Sequence, residues 1–347
     1  MPTFAPEKLE KLNNEIFRAI GVPADGAAWM ATLLVRANLR GHDSHGMIRV
    51  PQYVASWKKG DADPKAVPTI IQDGPATAIL DGKRGFGQIV ARRGMEVALE
   101  KAAALGIAGV GVHNCNHVGR LADYTEMALE RDMLALMFAN ASGAGQRMAP
   151  WGGRAARLST NPMAFACPVG TGAPISFDVA TTVAAEGKVR LKRNRKEPLP
   201  PGWVIDADGN PTTDANAIYR EPQGSILPVG GHKGYSLALM IDVLGGILAR
   251  AGYSRPNPGP VMNGIFIVAV DIARFLPAAT FKAEIDALVG YIKTSPPVPG
   301  GKGVMTPGEP EAITEAERRK SGIFVEDETW GQIVAAATEL KVALPTA

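Results

Sequence analysis

The five histidines of this 347-residue chain fall in three short segments, and the rest of the chain has none. They are Gly41-His42-Asp43-Ser44-His45-Gly46, His113-Asn114-Cys115-Asn116-His117-Val118-Gly119 and Gly231-His232-Lys233-Gly234-Tyr235. An imidazole with an unperturbed pKa of about 6.5 can take up and release a proton near neutral pH. Any one histidine is accounted for by a hydrogen bond to a neighbouring turn, but all five clustered among glycines, asparagines and a lysine point to a site for acid–base chemistry of the kind a redox enzyme uses.

A metal site is the first rival. His42 and His45 lie three apart and His113 and His117 four apart, spacings that would share one face of a helix. Gly41, Gly46 and Gly119 interrupt those helices, and no acidic cluster of ligand type accompanies them. No metal is expected. Lys233, between two glycines at the start of an apolar helix, opposes the helix dipole unless an anion lies beside it. The basic run Lys188, Arg190, Lys192, Arg193, Arg195, Lys196 reads first as a solvated face and second as a phosphate contact.

These segments need elements to hold them. Leu9, Leu12, Ile16 and Ile20 recur at helical steps, and Pro23 opens a second helix with Trp29, Leu33 and Leu34, so Gly41–Gly46 stands at a helix end. A further helix is expected over Ile48–Trp57, and Pro64 and Pro68 then mark a change of architecture. Strand-like runs follow at Thr69–Ile71 and Thr77–Leu80, then a helix over Ile89–Leu105. The apolar runs Ile107–Val112, Met133–Phe138 and Met163–Pro168 stop at polar or glycine-rich tips, His113–His117, Asn140–Gly145 and Pro168–Gly170, as strands beside a ligand do. Pro174–Val179 and Ile265–Val270 read as strands, and Ala278–Ile292 and Trp330–Leu340 as helices. The apolar stretch Tyr235–Leu248 is shorter than the roughly 20 residues that span a bilayer and carries Asp242, which predicts a buried helix and no membrane association.

Composition sets the outer bounds. A chain of this length favours two packed lobes, and 46% apolar with 20% charged residues is globular. A formal charge of +3 gives no reason to expect nucleic acid. Two cysteines, Cys115 and Cys167, make no disulfide framework, and no signal-like run follows Met1, so a cytoplasmic protein is expected. Gly106-Ile107-Ala108-Gly109-Val110-Gly111 has its glycines in the wrong order for a dinucleotide turn, and no Walker-type loop occurs.

Six ordered motifs nevertheless resemble one family. Ala37-Asn38-Leu39-Arg40-Gly41-His42-Asp43-Ser44-His45-Gly46, Asn116-His117-Val118-Gly119, Ser159-Thr160-Asn161-Pro162, Phe177-Asp178-Val179-Ala180-Thr181, Gly231-His232-Lys233-Gly234-Tyr235 and Pro307-Gly308-Glu309-Pro310 are similar to the malate/L-lactate/sulfolactate dehydrogenases, nearest their 2-hydroxycarboxylate dehydrogenase branch. The resemblance implies an α/β (α+β) fold of the sulfolactate dehydrogenase type. In it a non-Rossmann NAD(P)-binding domain on a mixed, largely antiparallel sheet packs beside a helical domain. On this chain that layout implies a helical domain of residues 1–68 with about 232–262 and 276–347, and a nucleotide domain of 69–231 with a strand near 264–271. It also implies a homodimer and an NAD(P)H cofactor, NADH or NADPH undecided.

The same resemblance assigns residues. His45 matches the proton donor of diketogulonate reductases, and His117 the catalytic base of ureidoglycolate dehydrogenases. His45 is the expected acid–base group, with His117 second and at the nicotinamide end. Ser44, Arg49 and Thr160 would bind substrate. Cofactor contacts are expected from His117, Asn140, Ala141, Asn161, Asp178, Val179, Ala180, His232, Lys233, Gly308, Glu309 and Pro310; Ala141 stands where some relatives have serine and has only its backbone to offer. The implied reaction moves a hydride between nicotinamide and a 2-oxo or 2-hydroxy acid. Reduction of piperidine- or pyrroline-2-carboxylate, or of N-alkyl imines of 2-oxo acids, is the alternative within the family, and a metal-dependent hydrolase the alternative outside it.

Overall fold

The computed structural model describes residues 2–142, 145–256 and 261–345. Its centre is a seven-stranded mixed sheet in the order Thr69–Asp73, Thr77–Gly85, Ile107–Cys115, Met262–Asp271, Met133–Ser142, Met163–Cys167, Ile175–Val179. Every neighbouring pair is antiparallel except Thr77–Gly85 with Ile107–Cys115, which the helix Gly87–Leu105 connects. A parallel pair needs such a crossover, whereas antiparallel neighbours do not. The expected fold class, mixed and largely antiparallel without a Rossmann turn, is what the chain adopts.

Alternation along Ile107–Cys115 divides its neighbours between two faces. Val112 meets Gly94 of the helix Gly87–Leu105, whereas the adjacent Gly111 lies against Ala249 on the other side. Met95, Leu99, Val110, Val112 and Ile267 are buried in the core between that helix and the sheet. A second core joins the helices Pro6–Ala19, Ala24–Leu39 and Val50–Lys58 to Ile323, Val325 and Ile333 near the other end of the chain. The strands Thr3–Phe4 and Ile323–Phe324 pair antiparallel and tie the two ends together. A small cluster of Val189, Leu199, Val204, Ile218 and Ile226 forms a third core beneath the helix Glu186–Asn194.

The basic run lies mostly on the helix Glu186–Asn194, with its charged side chains half-exposed or exposed as a solvated face would have them; what the run did not show is that Val189 between them is fully buried. Two local expectations need correction. The stretch Tyr235–Leu248 is not a buried helix. It begins earlier, as the α-helix His232–Ile241, and continues as a π-helical segment Asp242–Leu248. It packs through Gly234, Ala238, Ile241, Gly245 and Gly246, while Leu239, Val243, Ile247 and Leu248 are between 46% and 56% exposed. Small residues let the helix backbone approach closely, as where Gly245 nears the Gly264 carbonyl, and that turns the large side chains outward. Finally, the strand Ile107–Cys115 includes His113, which therefore lies within the sheet rather than in a polar tip. At the Asn140–Gly145 tip the strand runs on to Ser142, and residues 143–144 lie outside the described part.

Candidate active site

The segment 41–46 is folded by one side chain. Asn38, near the end of Ala24–Leu39, accepts a hydrogen bond from Met47 N at Oδ1 (2.8 Å) and donates from Nδ2 to Asp43 (2.6 Å). A Cβ on Gly46 would lie 2.0 Å from that Asn38 oxygen, so only glycine fits there. Gly41, at a φ of +79°, ends the helix, and two short 3-10 turns, Asp43–His45 and Met47–Arg49, deliver the chain into Val50–Lys58. Arg49, Gln52 and Tyr53 fall at i, i+3 and i+4 and so share one face of that helix.

His117 arrives from the opposite side. It follows the strand Ile107–Cys115 and is fixed by its neighbours: Asn116 Nδ2 donates to the Arg84 carbonyl (2.8 Å), and Val118 N donates to Asn263 Oδ1 (3.1 Å). The two approaches bring the His45 and His117 rings into a stack with centroids 5.7 Å apart and planes 18° from parallel. His45 Nδ1 lies 3.0 Å from Ser44 Oγ, and His117 Nδ1 lies 2.9 Å from Tyr53 Oη. Gln88 Nε2 in turn donates to Tyr53 Oη at 2.7 Å.

Both rings line a cleft of about 610 Å³, together with Ser44, Arg49, Gln52 and Thr160. Arg49 is 9% exposed; its Nε donates to the Ser44 carbonyl (2.7 Å) and its Nη1 to Gln52 Oε1 (2.6 Å). Among the described residues no carboxylate stands within 4.0 Å of it. Burial, and then the Arg49 charge, push the His45 pKa down to about 3 and hold that of His117 well below its usual value. Burial likewise lowers that of Arg49 and raises that of the Tyr53 phenol to about 12. Two neutral imidazoles thus face a cation without a contacting carboxylate among the described residues; Glu186, in the same cleft, acts on it from a distance and pairs directly with Arg190 instead.

The other wall is made of small residues, Ala139, Ala141, Gly145 and Ala180, with the half-exposed Val179. Such a wall gives flat access to backbone groups and suits a planar ring. Arg147 also lines the cleft, donates to the Gln146 carbonyl (2.8 Å) and has no acidic partner among the described residues. Asp178 accepts from Leu121 N (2.5 Å) and Ala122 N (3.2 Å), and so caps the short helix Ala122–Thr125 from the cleft floor.

Other expected contacts lie elsewhere. Asn140 is fully buried and its amide is wholly occupied, donating to Asp242 Oδ1 and the Gly252 carbonyl and accepting from Gly264 N, each at 3.0 Å. Asn161 is also fully buried, donates to the Ala238 carbonyl (2.9 Å), and leaves its Oδ1 without a partner. His232 and Lys233 are exposed on their helix outside this cleft; His232 meets Trp151 edge-on, with centroids 6.2 Å apart. Gly308, at a φ of +101°, precedes the helix Glu309–Ser321, and Glu309 bonds back to Thr306 N (2.9 Å) and to Lys293. Pro310 lines a neighbouring cavity of about 410 Å³, which shares His42, Ser44, Gly187 and Lys188 with the cleft. Of the five histidines the cleft gathers His42, His45 and His117, and leaves out His113 and His232. No group of three His, Cys, Asp or Glu is placed to hold a metal ion among the described residues.

Residues 4–334 match the profile of the malate/L-lactate dehydrogenase family. The chain belongs to that family. It is 37% identical to an L-lactate dehydrogenase of Cupriavidus necator over 341 residues, 97% of each chain. It is 35% identical to a malate/(S)-sulfolactate dehydrogenase of Methanothermus fervidus over 346 residues, 98% of each. A solved structure of a putative malate/lactate dehydrogenase from E. coli superposes with a TM-score of 0.93 at 33% identity, covering 99% of this chain and 96% of that one. Members of the malate/L-lactate dehydrogenase family are pyridine-nucleotide-dependent oxidoreductases, and this chain is one of them.

Reasoning from sequence missed Tyr53, Gln88, Gln52 and Arg147. The first and third carried a signal, since they stand four and three residues after Arg49 in a helical stretch. Gln88 and Arg147 carried none.

Proposed function

We propose that the cleft binds a 2-oxo acid, or the corresponding 2-hydroxy acid, against the small-residue wall where the nicotinamide would lie. The observation that carries this reading is Arg49: a buried guanidinium without a carboxylate partner, beside two neutral imidazoles. A buried cation is stable when paired, and a planar fork matches a carboxylate in two parallel hydrogen bonds. Substrate carboxylate held there would place its C2 oxygen near His45 and His117, with Ser44 and Thr160 beside it.

The nucleotide, when bound, supplies or accepts the hydride. The protein's share is the proton and the geometry. In the oxidative direction neutral His45 takes the hydroxyl proton of the 2-hydroxy acid. In the reductive direction protonated His45 gives it to the carbonyl oxygen as the hydroxyl forms. A carboxylate on Arg49 cancels part of the charge that depresses the His45 pKa, so acid binding itself favours loading the proton. Ala141 and Ala180 backbone groups, Asp178 at the cleft floor and Val179 fit a nucleotide, and Arg147 stands free for a phosphate. Lys233, Gly308 and Glu309 would reach it only along its outer part.

NADH and NADPH are both candidates. The basic helix Glu186–Asn194 does not favour NADPH strongly, because Arg190 pairs with Glu186 (2.6 Å) and Lys192 with Glu197 (2.6 Å). The outward apolar face of His232–Leu248 supports a homodimer in which a second copy covers it, which sedimentation would test. Two free, buried cysteines support a cytoplasmic home. The function is tested by nucleotide oxidation with a panel of 2-oxo acids. Turnover with a 2-oxo acid supports it, and silence with every acid contradicts it.

A further inference from the structure

We propose that Gln88 and Tyr53 form a hydrogen-bond relay that holds His117 neutral with its proton on Nε2. His117 is then a donor to the substrate's C2 oxygen, and His45 is left as the group that moves the proton. Gln88 and Tyr53 are positioning residues, and this assignment rests on the proposed reading of the cleft.

The argument starts at Gln88, 1% exposed and in the first turn of Gly87–Leu105. Its Nε2 can only donate, and it donates to Tyr53 Oη at 2.7 Å, while its Oε1 is buried with no hydrogen-bond partner among the described residues. Tyr53 is itself 3% exposed, and among the described residues the other group within hydrogen-bond reach of its oxygen is His117 Nδ1, at 2.9 Å. The phenol hydrogen therefore has one acceptor to go to, and Nδ1 must be that acceptor. A neutral imidazole whose Nδ1 accepts carries its hydrogen on Nε2.

Protonating His117 would break this chain. Nδ1 would become a second donor aimed at Tyr53 Oη, beside Gln88, and the phenol hydrogen would lose its acceptor in a buried site. A second feature acts in the same direction. A Cβ on Gly87 would lie 2.3 Å from the His117 carbonyl oxygen, so the positive end of the 19-residue helix Gly87–Leu105 is packed against the backbone at Asn116 and His117. On the cleft side burial, Arg49, the His45 ring and Arg190 all hold the His117 pKa down, and the carboxylates that line the cleft are engaged elsewhere, Asp178 by Leu121 N and Ala122 N and Glu186 by Arg190. A neutral imidazole with its hydrogen on Nε2 is suited to polarise a carbonyl rather than to protonate it.

Selective ¹⁵N labelling of the histidines reads the tautomer directly, in the free enzyme and without substrate, with His117→Asn identifying the resonance. The expected result is a protonated Nε2 and an unprotonated Nδ1 at His117, persisting on acidification below the titration of an exposed histidine. Tyr53→Phe, which removes the phenol oxygen with little change of shape, should give a mixture of tautomers. Gln88→Glu replaces the donor by an acceptor, so Tyr53 should donate to it and the His117 proton should move to Nδ1. Each variant should lower kcat roughly 10- to 100-fold, at or below the about 10² to 10⁴-fold of a positioned acid–base group itself, while the nucleotide KM stays near wild type. A proton on Nδ1 in the wild type, or a tautomer that neither variant moves, overturns the relay. Because no substrate is present, that result is separate from a failure to find one.

Discussion

The His45 and His117 rings lie face to face, 5.7 Å between centroids, and each meets a different hydroxyl through Nδ1: Ser44 for one and Tyr53 for the other. Two stacked imidazoles beside Arg49 cannot both carry charge, since like charges at that separation oppose one another. One site therefore holds two imidazoles with separate tasks, and the residue behind each ring decides which task it has.

Loss of the proton carrier should be read in kcat. A positioned acid–base group contributes roughly 10² to 10⁴-fold, and His45→Ala should lower kcat by about that factor while nucleotide affinity, measured by fluorescence titration, stays near wild type. An equal loss of nucleotide affinity would show that His45 belongs to cofactor binding instead.

Arg49→Lys separates charge from shape. A lysine keeps the positive charge but not the fork, and a lost charge-assisted hydrogen bond costs about 1.5–3 kcal/mol, so the KM for the acid should rise roughly 10- to 100-fold. Steady-state kinetics with an unchanged KM would remove Arg49 from the carboxylate site.

Acid stability follows from the depressed imidazoles. In the unfolded chain both histidines titrate near pH 6.5, whereas in the native state His45 is held down to about 3 and His117 well below its usual value. Between about pH 3 and pH 6.5 the unfolded state binds more protons, so stability rises with pH there and is lost on acidification. Thermal melts from about pH 4 to about pH 7 should show a shallower slope for His45→Asn than for the wild type. An identical slope would mean that His45 titrates normally in the folded protein.

Behind the cleft, Arg120 and Asp123 are 2% and 1% exposed and paired at 3.0 Å, with Glu126 3.3 Å from Arg120. Removing one partner of a buried pair leaves the other charge uncompensated, which costs about 3–5 kcal/mol. Asp123→Ala should cost near the lower figure, because Glu126 still faces Arg120. Urea unfolding checks the value, and a change under 1 kcal/mol, roughly a surface-pair effect, would show that the pair contributes little.

Gly187 sits where the helix Glu186–Asn194 meets the histidine segment, and a Cβ there would lie 2.8 Å from the Ser44 Cβ. Gly187→Ala should push Ser44 and the helix apart, at about 1–3 kcal/mol for an overpacked contact, and raise the KM for the acid more than that for the nucleotide. Wild-type kinetics with wild-type melting would show that the contact relaxes freely.

Much of this arrangement is legible from residues close in the chain. Helical spacing of Leu9, Leu12 and Ile16, the apolar runs at Ile107 and Met133, and glycines flanking the histidines each report on local backbone, which sequence encodes directly. The central strand Met262–Asp271 is different: it was recognisable as a strand, but nothing local says that it inserts between Ile107–Cys115 and Met133–Ser142. Asn140 shows the same limit at a single residue. Its motif suggested a ligand contact, yet its amide bonds Asp242, Gly252 and Gly264, partners more than 100 positions away. Gln88 was silent because a glutamine in a helix reads as packing until the fold places it behind Tyr53 and His117, whereas Tyr53 was marked only by its helical spacing from Arg49. The exposure of Leu239 and Val243 was hidden for a related reason: hydropathy reports that a helix is apolar, not which of its faces small residues have claimed.

The most direct test of the central claim is the loss of nicotinamide absorbance from NADH and NADPH, in parallel, with pyruvate, oxaloacetate, 2-oxoglutarate and phenylpyruvate, each with and without methylamine. The account predicts oxidation of a nucleotide by at least one 2-oxo acid without amine. Oxidation only when methylamine is present, or none with any acid, would contradict it.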